Sequence, residues 1–128
     1  MYKNKNKNFD ALCWHYDDAE TLPVNSKVLA FNEKSKFQSI SFTNKNSEVW
    51  AVQYHPEFNP LWISKLMMQR KDILLSNKIY NSNTEFENEK LIFENYKKID
   101  LKKNNKYKDL FNTSYHSLEI SNWLETIF

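Results

Sequence analysis

The chain has 128 residues, 41% apolar and 16% aromatic, with a formal net charge of +2. That length suits one domain with its own core. The apolar and aromatic content excludes a disordered polymer, and a charge so near balance, with Arg70 the sole arginine, makes no case for nucleic acid. The single cysteine cannot close an internal disulfide, which fits a reducing compartment. No apolar run approaches the ~20 residues of a membrane span, and Met1–Asn8 has lysines but no hydrophobic run behind them, unlike a secretory signal. A cytoplasmic place follows by default. Glycine is absent. The chain therefore has no Gly-rich phosphate loop and no Gly-flanked nucleophile elbow, and its turns must rely on Asn, Asp, Ser and Pro.

From the N-terminus, the lysines and asparagines of Met1–Asn8 read as a solvated, frayed end. Phe9–Trp14 is a short strand candidate. Within it Cys13, between Leu12 and Trp14, reads as a buried structural thiol. The sharper reading, a nucleophile, fits poorly because reactive thiols favour exposed, electropositive places. His15-Tyr16-Asp17-Asp18 should form a loop, closed by Leu22-Pro23. A metal set drawn from His15, Asp17, His55 and Glu57 is too scattered in sequence to be favoured, and no metal or cofactor is expected. Lys27–Asn32 and Phe37–Phe42 read as strands, the second alternating and half-exposed. After a polar turn at Asn44-Lys45-Asn46 a third strand follows, and sequential antiparallel pairing is the economical topology.

The stretch from Val49 to Phe58 organises the rest. Val49–Tyr54 reads as a buried strand, rich in β-branched and aromatic residues. Pro56 ends it, having no N–H for a ladder, and holds His55 in the extended region. In an extended backbone, side chains two apart point the same way, so His55 and Glu57 should project together from the strand's carboxyl end, where ligands of open α/β sheets lie. An imidazole beside a carboxylate is two thirds of a Cys-His-acid or Ser-His-acid machine.

Beyond it, Asn59-Pro60 starts a helix, with Asn as N-cap and Pro at the first position. Trp62, Ile63, Leu66 and Met67 form its apolar stripe, expected to pack against the sheet; the helix should run to about Arg70 or Leu75. Thr84 and Glu87 make a capping-box signature for a helix with a stripe of Phe86, Ile92, Phe93, Tyr96 and Ile99. Asp100–Lys108 reads as a charged connector. Leu118, Ile120, Trp123, Leu124 and Ile127 suggest a final helix, expected either to cap the domain or to form a homodimer surface. His116 reads as a lone structural histidine.

Gln53-Tyr54-His55-Pro56-Glu57-Phe58 resembles the His-Pro-Glu motif of class I glutamine amidotransferase domains. His15-Tyr16-Asp17, Leu22-Pro23 and Val28-Leu29-Ala30 precede it in the order and spacing of that family, and the likeness, running from about Phe9 to Arg70, is greatest to the GMP-synthase-like type. The resemblance implies an α/β fold, the C-terminal part of a flavodoxin-like amidotransferase sheet domain with about three strands followed by C-terminal helices. It divides the chain into an amidotransferase-like part, 1–75, and a helical extension, 76–128. It implies glutamine as substrate: a cysteine thiolate attacks the side-chain amide, ammonia leaves for an acceptor on a synthase domain, and water releases glutamate. By motif position His55 is the general base and acid, Glu57 orients it, and His15 lines the rim. The family's nucleophile and oxyanion donors stand in a glycine-bearing first half that these residues lack, so the chain alone is expected to be inactive, with the missing N-terminal half as a partner. The alternative is a non-catalytic binding or regulatory module derived from that fold. Neither reading involves nucleic acid or a membrane.

Overall fold

The computed structural model describes residues 1–128. It is a mixed α/β arrangement: a three-stranded antiparallel sheet of order β1-β2-β3, followed by helices. β1 is Lys27–Ala30, β2 Ser39–Asn44 and β3 Ser47–Val52. The sequential antiparallel pairing matches expectation, with a register irregularity between Val28 and Ala30. The turn joining β2 to β3 needs a positive φ that glycine or asparagine would usually take; here Lys45 adopts it, at 54°.

Two strand expectations are corrected. Phe9–Trp14 is not a strand: it contributes one antiparallel bridge, Cys13 opposite Tyr54, and the His55 N–H donates to the Leu12 carbonyl at 2.7 Å. β3 stops at Val52 and is only half-buried, with Tyr54 the first fully buried residue beyond it. β1, paired only with β2, is an edge strand, and Val24, Val28, Leu29 and Phe31 in and around it are exposed.

The apolar core lies in the helical layer. α1 (Pro60–Gln69) begins as the sequence foretold, the Asn59 side chain accepting from the Trp62 N–H at 2.9 Å. Its inner residues, Ile63 and Met67, pack with Leu12, Phe86, Phe93, Tyr107 and Phe111. Each such side chain contributes about 1.5–3 kcal/mol by leaving water, and no strand residue belongs to this cluster. α1 thus packs chiefly on α3 (Asn83–Glu94) rather than the sheet, and Trp62 remains half-exposed. A short α2 (Lys71–Ser76) joins them.

The cap of α3 is two residues earlier than expected. Ser82 accepts from the Glu85 N–H at 3.1 Å, and Glu85 accepts from the Asn81 N–H at 2.8 Å. Glu87 instead meets Lys71 of α2 at 2.6 Å. The connector beyond α3 is charged, but it buries Tyr107 against Phe111, rings stacked at 5.0 Å.

The chain closes with α4 (Lys108–Phe111), α5 (Thr113–His116) and α6 (Leu118–Leu124). The expected apolar stripe of α6 is inverted. Its fully buried residues are Glu119 and Asn122, whereas Trp123 and Leu124 are exposed. The reason is what it packs on. The N-terminal residues, expected to fray, lie beneath α6 as ordered backbone, and Asn122 Nδ2 donates to the carbonyls of Met1 at 2.7 Å and Lys3 at 3.0 Å. No helix is long and apolar enough to cross a membrane.

Candidate active site

The strand exit is a turn. The Phe58 N–H donates to the His55 carbonyl at 3.3 Å, closing a loop over Pro56 and Glu57, with proline in the position its fixed φ suits. This turn, rather than a continued extended strand, brings the two side chains together: His55 Nδ1 lies 2.7 Å from Glu57 Oε1. An ionised carboxylate only accepts, so Nδ1 is the donor and carries the proton. That leaves Nε2 as the nitrogen free to serve a nucleophile. It faces the Trp14 carbonyl at 3.4 Å, also an acceptor; a neutral ring has one N–H, and the shorter, charge-assisted contact to Glu57 is the stronger claim on it.

The imidazole is held flat by the start of α1. It stacks on Phe58, centroids 4.0 Å apart and planes 3° from parallel, and Phe58 leans on Trp62 at 4.7 Å. The pair is open to water, with the His55 side chain 28% and Glu57 55% exposed. A positioned, reachable base next to its orienting acid can take and return a proton.

Residues 1–73 match a family model described as glutamine amidotransferase class-I. The chain belongs to the class I glutamine amidotransferases. No curated protein and no solved structure matches it. The amidotransferase match takes in the sheet, the turn and α1, and stops within α2.

The other sequence candidates make no hydrogen bond or ion pair to His55 or Glu57. His15 keeps to its own loop, Nδ1 lying 3.0 Å from the Asp17 carbonyl and 3.7 Å from Asp18 Oδ1; it has no hydrogen bond or ion pair to His55 or Glu57. No three His, Cys, Asp or Glu side chains are grouped to hold a metal ion. Cys13, expected to be buried, is exposed. Its thiol donates weakly to Gln38 Oε1 at 3.8 Å, and desolvation pushes its pKa up, away from thiolate. Cys13 lines a cleft of about 710 Å³ together with Tyr2, Phe9, Phe31, Gln38 and Tyr54. Extended residues alternate in direction, so His55, next to Tyr54, points away from that cleft and does not line it.

Sequence reasoning passed over the groups behind Tyr54. The Tyr54 hydroxyl donates to Glu119 Oε1 at 2.6 Å, and the Lys5 ammonium donates to the same oxygen. Burial, then the bond to Glu119, raises the Tyr54 phenol well above its ordinary value. One signal was available: Glu119 is an acid between Leu118 and Ile120 in an apolar stripe.

Proposed function

We propose that this chain supplies the histidine–carboxylate pair of a glutamine-hydrolysing amidotransferase of the GMP-synthase-like type. His55 Nε2 takes the proton of a cysteine thiol and returns it to the departing ammonia, and Glu57 holds the ring's tautomer and steadies the imidazolium. The thiolate adds to the side-chain amide carbon of glutamine, ammonia leaves, and water cleaves the thioester to glutamate. The observation that carries this reading is the 2.7 Å contact of His55 Nδ1 with Glu57, in a turn whose imidazole is 28% exposed. The spacing of His15, Leu22-Pro23 and Val28-Leu29-Ala30 before that turn supports the subtype. Cys13, on the other side of the strand exit with a raised thiol pKa, is not the nucleophile; the sulfur comes from polypeptide outside these 128 residues, and ammonia passes to a synthase acceptor in the cytoplasm.

The test is ammonia release from glutamine. The purified chain alone should release none; turnover abolished by Cys13→Ala would sink the assignment. With a polypeptide bearing the family's glycine-flanked cysteine turn, turnover should appear, and His55→Ala should cut it ~10²–10⁴-fold.

One observation favours a second reading, a binding module without chemistry: the 710 Å³ cleft lies away from His55. Small-molecule sites are commonly clefts of about this size. A ligand whose binding is lost in Phe9→Ala but kept in His55→Ala would favour it.

A further inference from the structure

Behind the strand exit, on the face opposite His55, lies a set of buried polar groups for which glutamine hydrolysis has no direct use. The Lys5 and Glu119 side chains are paired and only 1% and 3% exposed. Glu119 also receives the Tyr54 hydroxyl. With that proton committed, the Tyr2 hydroxyl donates to Tyr54, at 2.7 Å. Lys5 Nζ adds a bond to the His116 carbonyl at 3.3 Å. Both ends of the chain therefore converge on one tyrosine, the residue immediately before the turn.

Next to it His116 is buried, and neither ring nitrogen finds a hydrogen-bond partner; Glu119 Oε2 is likewise unpartnered. Packing alone gives no reason for this composition. A buried ion pair is costly to desolvate, and apolar residues of similar volume would often stabilise as well. What charge-assisted bonds supply is direction: a carboxylate accepting two donors fixes where Tyr54, and hence the strand exit, is placed.

The geometry points to Glu119 as a positioning residue for the His55-Pro56-Glu57 turn: by fixing the Tyr54 hydroxyl it fixes the residue that leads into the turn. This rests on the reading of His55 and Glu57 as the working pair. It ties α6, beyond the residues of the family match, to the orientation of the base. The His55–Glu57 contact is exposed and short-range, so its geometry is set by the backbone that carries it.

The experiment reads the His55 tautomer by long-range ¹H–¹⁵N spectra of the full chain with labelled histidine, at alkaline pH. Only three histidines contribute, and His15→Gln and His116→Gln assign the signals. In the wild type, the Nδ1–H form should predominate, and Glu57→Ala should abolish that preference. Tyr54→Phe and Glu119→Gln, neither of which touches His55, should lower the Nδ1–H to Nε2–H ratio about threefold or more, because the tautomer follows the partner each nitrogen keeps. The stability control is Phe111→Leu, in the helical core: it should lower the melting temperature and leave the ratio unchanged. Should Glu119→Gln fail to fold, Tyr54→Phe, which keeps the ring, decides. An unchanged ratio in folded Tyr54→Phe, or an equal fall in Phe111→Leu, overturns the positioning role alone. A wild type without the Nδ1–H preference overturns the pair itself, and the positioning role with it.

Discussion

Two acid–base pairs flank one strand exit, and they differ in little except water. On the open side, His55 and Glu57 meet at 2.7 Å with side chains 28% and 55% exposed. On the closed side, Lys5 and Glu119 meet with side chains almost wholly buried. Exposed pairs are screened and contribute about 0–1 kcal/mol. A buried pair is costly to assemble, but losing one member leaves a charge with no solvent, at ~3–5 kcal/mol. The alternation of the backbone at Tyr54 and His55 therefore separates two tasks across its own thickness: reactive groups face outward, and groups that set geometry face inward.

The comparison breaks most readily at Lys5. Lys5→Ala should destabilise the fold by ~3–5 kcal/mol in urea unfolding, since Glu119 is left buried and uncompensated; a change below 1 kcal/mol would mean the N-terminal segment is not docked in solution. Tyr54→Phe should cost about 1–3 kcal/mol, through loss of the bond it donates to a buried carboxylate and of the one it accepts from Tyr2.

Acid gives a third probe. His116 is held below its ordinary pKa of 6.5, first by burial and then by Lys5, against the opposing pull of Glu119 and the backbone of His55 and Phe58. Its folded pKa is depressed, so below the unfolded value the unfolded chain binds the proton more readily. Stability should thus be insensitive to this group above about pH 6.5 and fall as the pH drops from there toward the folded pKa. Urea melts across that window should show the slope, and His116→Phe should flatten it.

Smaller effects lie on the open side. Glu57→Ala should change stability by less than about 1 kcal/mol while removing the orienting acid, so melting and tautomer should part company there. Lys45→Gly should stabilise by no more than about 1 kcal/mol, relieving a positive φ that costs an ordinary side chain more than glycine.

Which features were legible follows the range of the interactions that make them. The start of α1 was readable because Asn59 and Pro60 act on backbone within three residues. The cap of α3 was misplaced by two residues because Ser82 with Glu85 and Thr84 with Glu87 offer the same local pattern. Lys71 on another helix engages Glu87, which only packing could reveal. The N-terminal segment looked solvated because Lys5 is polar; its burial depends on Glu119, 114 positions away. The inward face of α6 misled for a related reason. Apolar periodicity presumes an apolar neighbour, and this helix packs on the carbonyls of Met1 and Lys3.

From its order of residues alone, the chain determined the family motif, the three-strand meander, the helix after the turn and the nearness of His55 to Glu57, all set within a few residues of backbone. Tertiary structure decided which way those two face, that the exposed cysteine opens on the other side, and that the termini meet behind Tyr54. Those outcomes depend on contacts between distant residues, where burial turns a lysine, a glutamate and a tyrosine from solvated groups into obligatory partners.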